Sequence, residues 1–233
     1  MAGKLYGIGV GPGDSELLTL KGKRILDNAQ IIAYPVKEKG EESTALNIIK
    51  NVVDTTGKEI LELVFRMDPS KEKREACRRE AADIIAAELS GDKDIAMITL
   101  GDVAIYSTYT YVNQMVREMG FETEIVPGIP SFCSGAALAQ VSLVEGNESL
   151  AVISSLKGRD QLDVTLENFE NVVVMKAGSS MERIKETLEK KGLEGNALVV
   201  SNVGLADEYV GKVDLDREYG YFTTMIIRKG GIK

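Results

Sequence analysis

The 233-residue chain contains no histidine. That absence removes Ser-His-Asp and Cys-His nucleophile systems, zinc-protease helices and every His-bearing metal site, so the chemistry of this protein proceeds without imidazole. Cysteine is scarce: Cys77 and Cys133 are too far apart in the chain for a CxxC redox pair and too few for a four-thiolate zinc site. They read as two buried, reduced thiols of a cytosolic protein, and no metal is expected. Positive charge is the minority sign. With 28 Lys and Arg against 36 Asp and Glu, the net charge of −8 argues against a broad nucleic-acid surface while leaving room for a local basic pocket. No apolar run approaches the ~20 residues that span a bilayer. The apolar stretch ahead of Gly11 is also too short for a secretory signal. The expectation is a cytoplasmic protein that binds neither membrane nor nucleic acid.

What is present is a globular composition, 44% hydrophobic and 27% charged, in a chain long enough for one large domain or two small ones. Leu5 to Val10 reads as a buried strand running into Gly11-Pro12-Gly13-Asp14, after which Leu18, Gly22, Ile25 and Ala29 recur at helical spacing. Asp14 is placed to cap that helix. A second strand, Gln30 to Tyr34, is expected to stop at Pro35, followed by a helix over Ser43 to Val53 and a strand over Ile60 to Phe65. Asp68-Pro69 suggests cap and first residue of a long helix ending at Ser90-Gly91. Its basic run Lys71, Lys73, Arg74, Arg78 and Arg79 reads as a solvated face, or less readily as a carboxylate-binding one. Strand Ile95 to Leu100, helix Thr108 to Met119 and strand Thr123 to Val126 continue the alternation, which implies a mostly parallel, doubly wound sheet with ligands at the carboxyl ends of its strands.

From about residue 128 the strands come at closer spacing: Leu150 to Ser154, Val172 to Met175, Ala197 to Asn202, Glu208 to Val213 and Tyr221 to Ile227. One helix is clear, Ser179 to Lys191, besides the small-residue helix Ser131 to Ala139. This predicts a mixed sheet with antiparallel pairing, its last strands joined by short turns. The fold class expected is α/β in two domains, residues 1–128 and 129–233, with a cleft between them.

Three strand ends carry glycine. The first, Gly7-Ile8-Gly9-Val10-Gly11-Pro12-Gly13-Asp14, fails the dinucleotide spacing GxGxxG from either starting glycine. A carboxylate at its helix start would also repel a pyrophosphate. No GxxxxGK[ST] loop occurs. The second is Leu100-Gly101-Asp102-Val103-Ala104-Ile105-Tyr106, and the third Val126-Pro127-Gly128-Ile129-Pro130-Ser131. Taken singly, each suits a tight turn as well as close ligand approach to bare backbone. Together on one side of a parallel sheet they describe a pocket for a compact polar cofactor.

These motifs resemble the tetrapyrrole methylases, enzymes that use S-adenosylmethionine to methylate precursors of cobalamin and sirohaem. The resemblance rests on GIGVGPGDSELLTLKGKRIL at 7–26, TLGDVAIYSTY at 99–109 and EIVPGIPSF at 124–132, and continues weakly through VVVMKAG at 172–178 and ALVVSNVG at 197–204. The wording of the second and third loops looks most like the branch that methylates C20 of precorrin-2 or cobalt-factor II. Relatives acting on uroporphyrinogen carry Gly-Gly-Asp where this chain has Leu100-Gly101-Asp102. The resemblance implies a homodimer with the cofactor in the interdomain cleft, giving S-adenosylhomocysteine as product. It assigns cofactor contacts to Leu100, Gly101, Asp102, Ile105, Tyr106, Pro130 and Ser131, completed by Ala177 and Val203, and turns the Gly11-Pro12-Gly13 loop toward substrate.

Such a reaction needs no imidazole. The sulfonium is already activated, the tetrapyrrole carbon is electron-rich, and the protein chiefly positions the two and excludes water. A proton leaves afterwards. Asp14 is the candidate acceptor, with N-capping as its other reading, and Asp102 either fixes its loop or takes part in proton transfer. The substrate's carboxylates call for local cations, among which Lys21, Arg24, Arg66, Lys157, Arg159 and Lys176 are candidates. Two rival readings share the motifs: a methylase of the same fold with another acceptor, and a non-catalytic S-adenosylmethionine-binding protein.

Overall fold

A computed structural model describes residues 2–66, 68–154, 156, 161–214 and 216–232. The chain divides into two compact units, residues 1–130 and 131–233.

The first unit alternates β1 (Leu5–Gly9), α1 (Leu20–Asn28), β2 (Ile31–Val36), α2 (Thr44–Lys50), β3 (Glu59–Val64), α3 (Lys71–Ser90), β4 (Ile95–Thr99), α4 (Tyr109–Glu118) and β5 (Thr123–Val126). Its five strands are all parallel, in the order β3-β2-β4-β1-β5. Because successive strand residues point to opposite faces, Ile31 and Ala33 pack with α3 and α4 while Ile32 and Tyr34 pack with α1 and α2. The unit therefore has two apolar layers around one sheet. β1 and β4 are neighbours whose following helices lie on opposite faces, so their carboxyl ends form the topological switch point at which such sheets bind ligands.

Local chemistry differs from expectation at three places here. Pro35 does not stop β2, which runs on to Val36. The Val36 carbonyl accepts from Phe65 N on the β3 side, so Pro35 faces the other side, where pairing with β4 has already ended at Ala33 and no N–H is needed. The cap of α3 is Ser70, whose hydroxyl accepts from Lys73 N, while Asp68 takes the amide of Ser70 itself. Asp14 caps a single 3-10 turn over Ser15–Leu17, and Thr19 caps α1.

The second unit contains α5 (Ser131–Leu138), β6 (Leu150–Ser154), α6 (Gln161–Asn168), β7 (Asn171–Met175), α7 (Met181–Lys191), β8 (Ala197–Ser201), β9 (Tyr209–Gly211) and β10 (Thr223–Arg228). Its mixed sheet has the order β6-β7-β10-β8-β9, with β6 and β7 parallel and the other pairs antiparallel. β10 thus inserts between β7 and β8, and the connection from β9 passes over β8 where the sequence suggests simple turns. Helix α6 is not evident from sequence, because its buried set Leu162, Thr165 and Leu166 covers little more than one turn. Val172 and Val174 of β7, Met225 and Ile227 of β10, and Ile184 and Leu188 of α7 are part of the core. Buried Arg228 reaches Glu145 at 3.0 Å and Glu148 at 3.5 Å, tying the segment before β6 to the end of β10.

Candidate active site

The three glycine loops meet at the carboxyl ends of β1, β4 and β5. Gly11 and Gly101 exchange backbone hydrogen bonds, Gly101 N to Gly11 O at 2.7 Å and Gly11 N to Gly101 O at 3.2 Å. The first two loops are thereby pinned across the switch point. Both glycines have left-handed φ, +82° and +73°, which a side chain would make costly. Contact with the third loop is closer still. A Cβ on Gly9 would lie 2.6 Å from Gly128 N, and one on Gly128 would lie 2.2 Å from Gly101 O. Glycine at these positions lets three main chains touch.

Asp102 locks the arrangement. Its side chain is buried, with Oδ1 accepting from Ala104 N and Oδ2 from Gly128 N, both at 2.8 Å. With both oxygens committed to main-chain amides, the carboxylate fixes the second loop to the third, which is one of its two sequence readings. Beneath it, Val103 is fully buried, while Leu100 and Ile105 are half-buried and Tyr106 is exposed at φ +50°. A Cβ on Gly101 would meet nothing nearer than Ile129 O at 3.9 Å. The loop therefore leaves room beside the Gly101 Cα, flanked by the apolar side chains of Leu100 and Ile105, while the Gly101 amide and carbonyl are taken up by Gly11.

The remaining expected residues have varied settings. Asp14 is exposed, and its Oδ1 accepts from Glu16 N at 2.9 Å. Pro12 and Gly11 are buried beside it, with Gly13. Pro130 ends the first unit and Ser131 opens α5 of the second. Within the second unit, Ala177 and Val203 are buried at the ends of β7 and β8, on either side of the start of β10. Ala177 N donates to Thr223 O, and Asn202 N donates to Phe222 O.

Of the six cations, Lys21 is bound to Glu124 at 2.6 Å, and Lys4 holds the same carboxylate at 2.7 Å. These two ammonium groups pull the Glu124 pKa down to about 2. Lys21, Arg24 and Glu124 line a cavity of about 280 Å³ with Tyr6 and Asp94, at the amino ends of the strands and away from the glycine loops. Arg66 is exposed just after β3, and Lys176 is half-buried just after β7. Lys157 and Arg159 lie outside the described residues. In the basic run of α3, Lys73 pairs with Asp68, Arg74 donates to the carbonyls of Asp68 and Pro69, and Arg78 stacks 3.5 Å from the centroid of the Tyr111 ring. The two cysteines are not buried as expected: Cys77 is half-buried on α3 and Cys133 is exposed on α5. Among the described residues there is no cluster of three Cys, Asp or Glu that could hold a metal. Among the described residues no helix is long and apolar enough to cross a membrane.

The contacts of Gly9 and Gly128 with each other are missing from the sequence reading. Their signal is glycine at the end of two strands that flank one another, which becomes legible only once the order β1-β5 is known. Gly7 has a different reason: a Cβ there would lie 2.3 Å from Cζ of the buried Tyr109 ring. Burial raises the phenol pKa of Tyr109 well above its ordinary value.

The first unit is thus a parallel α/β sheet with a glycine-lined switch point, the place at which such sheets take ligands, and the second is a mixed α/β sheet. The chain matches the family model of Tetrapyrrole (Corrin/Porphyrin) Methylases over residues 4–217, and it belongs to that family. Among its relatives, the probable cobalt-precorrin-2 C(20)-methyltransferase of Methanocaldococcus jannaschii is 40% identical, over 78% of this chain and 75% of the relative. The cobalt-precorrin-2 C(20)-methyltransferase of Salmonella typhimurium is 34% identical over 98% of each. A solved structure of uroporphyrin-III C-methyl transferase from Thermus thermophilus, complexed with S-adenosyl homocysteine, shares the fold with a TM-score of 0.71 at 20% identity, covering 97% of this chain and 98% of that one.

Proposed function

We propose that this protein is an S-adenosylmethionine-dependent methyltransferase acting on C20 of precorrin-2 or cobalt-factor II in cobalamin biosynthesis. The observation that carries the reading is the pair of relatives named for this reaction, at 34–40% identity over most of the chain. Both names specify the cobalt-containing substrate, so that form is the one to test first. The glycine contact at the switch point supports the chemistry.

In this reading Leu100, Gly101, Asp102, Ile105, Tyr106, Pro130 and Ser131 hold the cofactor, and Ala177 and Val203 are assigned to the same ligand. When bound, S-adenosylmethionine supplies a sulfonium methyl whose carbon–sulfur bond breaks as the bond to C20 forms, leaving S-adenosylhomocysteine. The chain's own part is orientation. Loops pinned by Gly11, Gly101, Gly128 and Asp102 do not need to reorganise during the reaction, and a preorganised site lowers the barrier by that saving. Asp14 follows the Gly11-Pro12-Gly13 loop and presents an exposed carboxylate, to which this reading assigns the proton that C20 loses. The family resemblance further supports a homodimer, which sedimentation of the purified protein measures.

The test is mass spectrometry and carbon NMR of tetrapyrrole recovered after incubation with methyl-labelled S-adenosylmethionine and precorrin-2, with and without cobalt. One labelled methyl at C20 is expected. A methyl at another carbon assigns the chain to another reaction of the family, and none, with the cofactor still bound, overturns precorrin-2 as the acceptor and points to another precorrin or a non-tetrapyrrole acceptor.

A further inference from the structure

Tyr221 and Phe222 lie side by side at the start of β10, their rings edge to face with centroids 5.4 Å apart, and both are exposed, at 56% and 38%. Large aromatic rings placed together in water cost free energy unless something covers them. Beside them stands Lys176, its ammonium 5.0 Å from the centroid of the Tyr221 ring. Among the described residues Lys176 makes no ion pair, so its charge is answered only by that ring face.

The patch is built rather than incidental. Lys176 has a left-handed backbone, φ +57°, which sets the direction of its side chain at the end of β7. The segment carrying the aromatics is fastened across that same strand end by Ala177 N to Thr223 O at 2.8 Å and by the Thr223 hydroxyl donating to Gly220 O at 2.8 Å. Gly178 lies so close to it that a Cβ there would be 2.2 Å from Gly220 O. On the other side, Phe222 O accepts from Asn202 N. The aromatic pair thus sits between Ala177 and Val203, the two residues of this unit assigned to the cofactor.

We infer that Lys176, Tyr221 and Phe222 form a substrate-contacting patch that takes a flat, conjugated, polycarboxylate macrocycle. The rings pack against the macrocycle and the ammonium meets one of its carboxylates. This rests on the proposed tetrapyrrole substrate and adds the residues that recognise it. Edge and face contacts to a conjugated ring favour aromatic side chains over aliphatic ones, and a cation without an acidic partner is available to an anionic ligand.

The experiment uses full-length protein with Tyr221→Ala, Tyr221→Phe, Lys176→Asn and the wild type. Asn tolerates the left-handed backbone at position 176. Two readouts are taken: steady-state methylation, and binding of uroporphyrin, a non-reacting polycarboxylate macrocycle, followed by its absorbance. Tyr221→Ala is expected to raise KM for the tetrapyrrole and the Kd for uroporphyrin about tenfold. Its kcat and affinity for S-adenosylmethionine stay unchanged, and Tyr221→Phe restores the wild-type values. Lys176→Asn weakens binding and flattens its dependence on ionic strength. The inference is overturned if Tyr221→Ala and Lys176→Asn bind uroporphyrin as the wild type does, if S-adenosylmethionine affinity falls in parallel, or if these two variants change oligomeric state instead. Because uroporphyrin binding needs no turnover, a wild type that binds it through this patch without methylating precorrin-2 overturns the proposed reaction and leaves the patch standing.

Discussion

Asp102 Oδ2 accepts the amide of Gly128 at 2.8 Å, joining two loops that are 26 residues apart in the chain. Its other oxygen holds Ala104 N, so one buried carboxylate satisfies main-chain donors on two strand ends at once. An acceptor-only group is required for this. In Asp102→Asn the amide nitrogen faces one of the two N–H groups, leaving it unsatisfied at a cost of about 1–3 kcal/mol. We expect that loss in urea unfolding, together with weaker S-adenosylmethionine binding by calorimetry; unchanged values in both would mean that the loops are held by glycine packing alone.

Gly128→Ala and Gly101→Ala separate contact from conformation. At Gly128 the new Cβ strikes Gly101 O and the backbone of Gly9, none of which can swing aside. Overpacking of this kind is expected to destabilise by about 3 kcal/mol or more. At Gly101 the Cβ has room, and the cost is the left-handed backbone, about 1–2 kcal/mol. Gly101→Ala should therefore fold and bind the cofactor less tightly, since its methyl enters the open side of the loop. Thermal unfolding and calorimetry of the two proteins check this, and equal stabilities would contradict the contact geometry.

Asp14→Asn distinguishes a proton acceptor from a cap. The Asn Oδ1 can still accept from Glu16 N, so the 3-10 turn is retained, while the basic carboxylate is gone. Slower turnover at unchanged cofactor affinity is expected. Rates equal to the wild type would leave Asp14 with capping only.

Glu124, clasped by Lys21 and Lys4, has its pKa lowered from 4.5 to about 2 in the folded protein. A depressed carboxylate stabilises the fold above its unfolded pKa, and that contribution disappears as pH falls from about 4.5 to about 2. Glu124→Gln should accordingly be less stable than the wild type near neutrality, with the difference closing over that interval. Urea midpoints measured at several pH values decide it, and a pH-independent difference would show that the pair is not the source.

Arg228 is nearly inaccessible to solvent, yet its two carboxylate partners are not. Arg228→Ala loses the ion pairs and the packed side chain, but Glu145 and Glu148 can rehydrate. The expected cost is about 3 kcal/mol, the lower end for breaking a buried pair. The pKa of Glu148, held low first by Asn171 and further by Arg228, should rise part of the way in the variant. Denaturant titration and NMR of the carboxyl group report the two effects.

Several features of this protein are decided by sequence alone. Strand and helix periodicity is local, so the βα alternation, the mixed second sheet and the three glycine-bearing strand ends are legible residue by residue, and the missing histidines exclude whole classes of chemistry. The motif order at 7–26, 99–109 and 124–132 is enough to point to the family. Other features depend on which segments meet. Pro35 continues its strand because β4 has already parted from β2, Lys21 is consumed by a glutamate from β5, and Tyr221 and Phe222 stand beside Lys176 because β10 inserts between β7 and β8. The physical reason is the same in each case. Turn chemistry and periodicity act over a few residues, whereas Gly128 for Asp102, Lys4 for Glu124 and Tyr221 for Lys176 come from positions 26 to 120 residues away along the chain, and only the packed sheet order brings them within hydrogen-bonding or ring-contact distance.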